Sequence, residues 1–334
     1  MQTYKTVLIG VAVVLQAAIL AAVVMQRENV LHHGDVVYMR TLPVDPRDLF
    51  RGDYVRLGYE AASITRDHVR EEDFREMQKP ERRVYLSYRT DSRDVMIPDR
   101  LRFTRPEDET YIRGLTTRNW RSNSIGVRFG IEKYFVQQDK GWPMQRGQRL
   151  EGVRIPLEME VAIGRTSGIA VLKGYRYADL GLGVVFPKRS SPGQPPPYTM
   201  TVRLANATDE PLNILDPQDH HTFKIALDTT GRPSQKAVLV FKQIPAPPAA
   251  YRQADIKTIM PHSVYEIEID LTLPRYQLIR GETEIAWNQM EYWESFTVRY
   301  EPPEPEKLEK LDVTDRLWQG VLESRKYYGR SIWQ

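Results

Sequence analysis

Hydrophobic and polar positions change their rhythm along the chain, and the first rhythm is none at all. From Thr6 to Met25 (TVLIGVAVVLQAAILAAVVM) the residues are uncharged, and Gln16 is the strongly polar side chain among them. A helix of about 20 such residues, at 1.5 Å per residue, is about 30 Å long, the thickness of a bilayer's hydrocarbon core. A cleaved signal peptide has an apolar region of only about 7 to 15 residues. Residues 6–25 are therefore expected to be a retained transmembrane anchor, with residues 1–5 as a short cytoplasmic tail. Gly10, Ala12, Ala17, Ala18, Ala21 and Ala22 supply small surfaces against which another helix could pack, although a lipid-facing helix reads the same way.

After Arg27 and a short link with His32 and His33, the period becomes two. Val36 to Met39 predict a strand, Pro43, Asp45 and Pro46 a turn, and Val55, Leu57 and Tyr59 alternate with Tyr54, Arg56 and Gly58, the mark of a strand buried on one face. Arg66 to Glu81 is highly charged, with Val69, Phe74 and Met77 spaced for a short helix lying on the domain. Beyond Pro156, the alternation of Leu157, Met159, Val161 and Ile163, the turn Gly164 to Gly168, and Ile169, Val171 and Leu172 predict a hairpin. Pro187 to Pro197 (PKRSSPGQPPP) reads as a stiff linker. A second series of strands follows, centred on Met200–Leu204, Phe223–Leu227, Val238–Phe241, Tyr265–Leu271 and Phe296–Tyr300.

These patterns predict a mainly β chain: a single N-terminal transmembrane helix, a β domain over 34–186, a linker over 187–197, and an immunoglobulin-like antiparallel sandwich over 198–301. A helical and aromatic tail is expected over 302–334. In it, Asp312 or Thr314 can cap a helix running to about Tyr328, with Gly329 as its stop. Leu317, Trp318, Val321 and Leu322 form its apolar stripe, and Tyr327, Tyr328 and Trp333 lie among basic residues. So many large side chains are poor solvated surface. The tail is expected to pack on the protein's own body, on another subunit or at the membrane interface, and Trp318, Tyr327, Tyr328 and Trp333 are the candidate partner-binding residues.

Composition narrows the function more than it defines it. The 334 residues include no cysteine, which excludes disulfides, thiolate metal sites and cysteine nucleophiles. The net charge is +3, with acidic and basic residues interleaved, so nucleic acid is not an expected partner. His32, His33, His68, His220, His221 and His262 contain two adjacent pairs, and neighbouring positions do not present two ligands to one metal; no metal or cofactor is expected. Asp216, Asp219, His220 and His221 form the best candidate cluster, which reads first as a solvated loop. Neither a glycine-rich phosphate loop nor a nucleophile elbow is present. Asn206-Ala-Thr208 is a formal glycosylation sequon.

Gly52-Asp53-Tyr54-Val55-Arg56-Leu57-Gly58-Tyr59 satisfies every fixed position of G-D-Y-x-x-L-x-Y. Together with LPVDPRDLFR upstream and Gly126 to Val136 downstream, it makes residues 34 to 185 resemble the GDYXXLXY proteins. The resemblance implies a bacterial protein with an N-terminal membrane span, and it carries over no catalytic residue. Physically, Gly52 and Asp53 suit a turn and Tyr54, Leu57 and Tyr59 the strand that follows, so the motif is expected to set register.

An anchor, two interaction-type domains and no visible active site lead to a non-catalytic accessory subunit. It would sit in the bacterial inner membrane with its body in the periplasm, stabilising an integral membrane protein complex such as a photosynthetic or respiratory supercomplex. A periplasmic ligand- or peptide-binding module is the alternative, and an envelope hydrolase is a third reading.

Overall fold

The computed structural model describes residues 2–42, 54–118, 124–135, 144, 147–187, 198–216, 220–228, 239–241, 250–291, 293–303, 305–308, 311 and 317–328. Helix α1 runs from Gln2 to His33. Every side chain from Leu8 to Asn29 is exposed, and the segment is long and apolar enough to cross a membrane, with a mean hydropathy of 2.7 over its most apolar window. It outlasts the apolar run by two turns. His32 and His33, expected in a link, belong to its last turn.

The helix enters the β body without a spacer. Val30 is buried, the Gly34 N–H donates to the Val30 carbonyl (2.8 Å), and strand β1 (Asp35–Leu42) begins at the next residue. Gly34 has to be small, because a Cβ there would stand 2.5 Å from the Val30 oxygen and 2.9 Å from that of Ile163. Gly164 repeats the constraint from the other side, where an added Cβ would come within 3.0 Å of Val30 Cγ2. An Arg165–Asp35 ion pair at 2.8 Å closes the joint.

β1 is the third strand of a four-stranded sheet ordered Ala170–Tyr177, Leu157–Ile163, β1 and β3 (Gly58–Tyr59), all antiparallel. The expected hairpin around Gly164–Gly168 is therefore present. Strand β2 (Tyr54–Arg56) pairs separately with Lys133–Phe135. A five-stranded sheet runs Ser63–Thr65, Ser124–Arg128, Tyr111–Thr117, Arg83–Thr90 and Met96–Arg102. Both sheets contribute to one apolar core with Val37, Met39, Leu57, Tyr59, Leu86, Ile112, Ile125, Met159 and Val161. Helix α2 (Glu71–Met77), the short helix expected in the charged stretch, opens with three acidic residues that suit a helix N-terminus and buries Phe74 and Met77 in that core.

The second core contains Leu180, Met200, Val202, Leu204, Ile267, Ile269, Phe296, Val298 and Tyr300. The alternating residues expected to be inward are inward here. The sandwich is not. Among the described residues the strands sort into small separate sheets: Leu180–Val185 with Thr199–Asn206 and Val264–Asp270; Leu212–Leu215 with Ile256–Ile259; Leu239–Phe241 with Leu278–Arg280 and Thr283–Ile285; and Phe223–Asp228 with Ser295–Tyr300. Single 3-10 turns at Gln253–Asp255, Pro274–Tyr276 and Trp287–Gln289 interrupt the chain between strands and keep them from continuing into two long sheets. The expected linker, 187–197, joins Leu180–Val185 to Thr199–Asn206, strands that pair with each other, so packing passes from one core to the other upstream of it, between Tyr177 and Leu180.

Candidate functional site at the junction of the cores

The motif enters the site through its last residues. Leu57 and Tyr59 are buried in the first core, and the Tyr59 hydroxyl donates to the Ile131 carbonyl at 2.8 Å. Burial and the nearby Glu132 carboxylate push that phenol far above its ordinary range, so it stays protonated and serves as a fixed donor. Gly52 and Asp53 lie outside the described residues, and of Tyr54 the backbone alone is described, paired with Phe135. The register-setting role thus rests on Leu57 and Tyr59, which anchor β3 beside β1 through the pairs Thr41–Tyr59 and Leu42–Gly58.

That register lines up charges on the opposite face of the sheet. Arg40 on β1 pairs with Glu158, and Glu158 with Arg176. Continuing the β1–β3 register by one residue brings Glu60, the first residue of the 3-10 turn Glu60–Ala62, opposite Arg40. A row of alternating sign, Glu60, Arg40, Glu158, Arg176, crosses the four strands. Its centre is inaccessible to water: Glu158 is fully buried and Arg40 is 8% exposed. Glu158 accepts from Arg40 Nε (3.3 Å) and from Arg176 Nε (2.9 Å), and Arg93 Nη1 stands 3.5 Å away. Cross-strand pairs of opposite charge stabilise a sheet, and burial makes their loss costly.

Arg93 carries the row to the second core. Asp91 Oδ1 accepts the N–H groups of Arg93 and Val95, each at 2.9 Å, fixing the turn that presents Arg93. The Arg93 backbone carbonyl accepts from Arg176 Nη2 (2.8 Å), and its guanidinium pairs with Asp179 (3.0 Å) and lies 5.7 Å from the Trp318 ring centre, within cation–π range. The other Asp91 oxygen accepts the Val321 N–H at 3.3 Å.

The tail residues therefore face inward. Trp318 packs on Tyr300 at 5.6 Å, and Tyr327 lies 5.1 Å from Phe186 with its hydroxyl donating to the Val184 carbonyl at 3.3 Å. Both are buried in the second core, so neither is available to a partner; Tyr328 is 43% exposed, and Trp333 lies outside the described residues. The expected helix is not formed over 317–328. Leu322–Glu323 and Tyr327–Tyr328 instead add to the edge of Ser295–Tyr300, whose open hydrogen-bonding groups supply the partners a helix would otherwise provide itself. Gly320 permits the crossing, since a Cβ there would stand 2.7 Å from the Trp318 ring.

Glu60 differs from the rest of the row. Its side chain is exposed, yet the surrounding protein desolvates its carboxyl and pushes it up to about 7, against the opposing pull of Arg40 and Arg154 and with the help of Glu323 and Glu158. Arg154 is half-buried; desolvation and the neighbouring Arg149 lower its pKa. Among the described residues the side chains of Glu60 and Arg154 make no hydrogen bond or ion pair, and Arg40 Nη2 is buried without a hydrogen-bond partner. Nothing in the sequence marked these three. Arg40 and Glu60 become neighbours only through the β1–β3 register.

The other sequence candidates are structural. Asp216 is held by His220 Nδ1 (3.0 Å) and accepts from the Tyr265 hydroxyl (3.2 Å), bracing the loop after Leu212–Leu215; Asp219 lies outside the described residues. Burial, with Asp216 beside it, pushes the Tyr265 phenol up to about 12. Asn206 is fully buried, and its amide donates to the carbonyls of Glu210, Ile259 and Met260, which removes it as a glycosylation acceptor. Among the described residues no group of three or more His, Asp or Glu is placed to hold a metal ion.

No curated protein and no solved structure matches the chain. The family described as GDYXXLXY protein matches residues 16–174, a stretch that contains the second half of the apolar helix, Arg40, Glu60, Arg154 and Glu158. Over those residues, just under half of its length, the chain matches the GDYXXLXY protein family.

Proposed function

We propose that this protein is a non-catalytic accessory subunit of an integral membrane protein complex, anchored once in a bacterial inner membrane with its N-terminus cytoplasmic and its β body periplasmic. The observation that carries the proposal is the spacer-free joint between α1 and β1. A tether needs only a flexible linker, whereas Val30, Gly34 and Gly164 fix both the height and the rotation of the body above the bilayer. Fixed geometry is useful when the body must meet a neighbour that is itself embedded in the membrane. The apolar helix is exposed from Leu8 to Asn29, and Gly10 has no atom near the position of an added Cβ, so lipid and a neighbouring helix can both reach it. A respiratory or photosynthetic supercomplex is the kind of assembly that takes such a subunit.

Lysine-directed cross-linking in intact membranes of the native host, followed by mass spectrometry, tests this reading. Reproducible links from the body to an integral membrane protein are expected. Links confined to this chain, together with inactivity of a periplasm-specific reporter fused to Gln334, would contradict both partner and orientation.

A further inference from the structure

We propose that the face of α1 centred on Gln16, which lies beneath the β body, is the surface on which a transmembrane helix of another protein docks, and that this helix presents a polar side chain to the Gln16 amide in mid-bilayer. The proposal rests on the membrane-assembly reading and deepens it, naming the side of the anchor that meets the neighbour and the chemistry of the contact.

Three observations lead to it. First, Gln16 stands at the middle of the uncharged run Thr6–Met25, is exposed, and among the described residues its side chain makes no hydrogen bond. Hydrocarbon offers an amide no partner, and polar side chains at that depth ordinarily face another helix. Second, the body covers the end of the helix on that same side. Each residue advances about 100° round the axis, so Gly34 lies about level with Gln16 and Val30 about 40° from it. Val30 is buried and Leu31, about 60° round on the other flank, is half-buried, whereas His32 and His33, about 160° and 100° away, are exposed. The packed end of the helix and Gln16 therefore share one face. Third, Ile9, Ala12, Gln16, Ile19 and Val23 follow one another at alternating spacings of three and four, and all are exposed. They fall within about 60° of Gln16, the seam pattern of paired helices, in which a single polar residue fixes the register.

The geometry favours an unlike helix over a second copy of this chain. A twofold axis between facing Gln16 side chains would bring two bodies, each packed on that side of its helix, into the same space above the axis. A neighbour whose helix ends near the membrane surface has room, because Val30 stands five residues, about 7.5 Å, beyond Met25, and the headgroup layer occupies about 5 to 7 Å on each side. Such a helix meets α1 along its span and the body just above it, so the rigid joint and the polar face belong to one interface. The Gln16 amide both donates and accepts, and Ser, Thr, Asn, Gln or His on the facing helix satisfies it.

The test places a photo-reactive side chain at single positions of the full chain in native host membranes: at Ala12, Ile19 or Val23 on the proposed face, and at Val14, Ala18 or Ala21 on the opposite one. Cross-links to one integral membrane protein are expected from the first set and lipid adducts from the second. Gln16→Leu should lower co-purification of that protein in mild detergent about threefold or more, the loss of one interhelical hydrogen bond. Gln16→Leu combined with Val14→Gln keeps the polar group but turns it to the far side, and should not restore the partner. Protein cross-links from the Val14, Ala18 and Ala21 positions alone, or parental co-purification by the double variant, would overturn the assigned face and leave the membrane-assembly reading standing. Cross-links between two copies of this chain would overturn the unlike helix as occupant. Lipid adducts at every position would overturn both the face and the assembly reading.

Discussion

Replacing Glu158 by Gln would isolate the contribution of the buried row. The substitution keeps the shape and removes the charge on which Arg40, Arg93 and Arg176 converge. Two hydrogen bonds to the carboxylate are direct, from Arg40 at 3.3 Å and Arg176 at 2.9 Å, and bonds to charged groups contribute about 1.5 to 3 kcal/mol each. Their loss alone would cost roughly 3 to 6 kcal/mol, in keeping with the roughly 3 to 5 kcal/mol typical of breaking a buried pair and leaving the other charge unpaired. Arg176 and Arg93 are partly relieved by Tyr38 and Asp179, whereas Arg40 has no such alternative. The expected loss is therefore about 3 to 5 kcal/mol. Urea unfolding of the full chain in detergent, followed by tryptophan fluorescence, measures it. Arg40→Met combined with Glu158→Leu removes both charges and should recover most of the loss, because apolar replacements of a buried pair are often neutral. A Glu158→Gln variant within about 1 kcal/mol of the parent would refute the assignment of the row as a buried, paired network.

Trp318→Ala should lower stability by about 3 to 5 kcal/mol, the cost of emptying a buried aromatic site, while Tyr328→Ala should change it little; equal effects in thermal unfolding would contradict the inward placement of the tail. Because the Glu60 carboxyl is raised in the folded chain, the folded state binds more protons than the unfolded state between the ordinary glutamate pKa and about 7. Stability from this group is thus present at low pH and lost as pH rises through that window, and Glu60→Gln should flatten the profile there; an unchanged profile would contradict the raised value. Cleavage within 188–197 should leave the two pieces associated under native conditions, since the strands on either side pair residue by residue from Leu180–Asn206 to Val185–Thr201; separation on gel filtration would contradict that hairpin.

The sequence showed some of this plainly and hid the rest for physical reasons. Val55, Leu57 and Tyr59 alternate, as do Met200, Val202 and Leu204, and burial on one face of a strand leaves that signature wherever it occurs. A helix long and apolar enough to cross a membrane is legible from length and apolarity. What the pattern could not show was sheet membership: strands of an immunoglobulin sandwich and of several small sheets alternate alike, and only pairing separates them. Leu317, Trp318, Val321 and Leu322 carry a helical spacing, but the open edge of Ser295–Tyr300, which lies in another segment, overrides it. Glu60, Arg40, Glu158 and Arg176 look like ordinary solvated charges along the chain. Only the β1 register places them in one row.

The most direct test of the central claim is to loosen the joint between membrane and body. A ten-residue Gly-Ser insertion between His33 and Gly34 would preserve the anchor, the topology and both cores while releasing the height and rotation that Val30, Gly34 and Gly164 impose. Parent and variant would be extracted from native membranes in mild detergent, and the stoichiometry of co-purifying integral membrane protein compared. The account expects the partner to be lost or strongly depleted from the variant while its unfolding midpoint stays that of the parent; retention at parental stoichiometry would show that the rigid mount is not what the protein contributes.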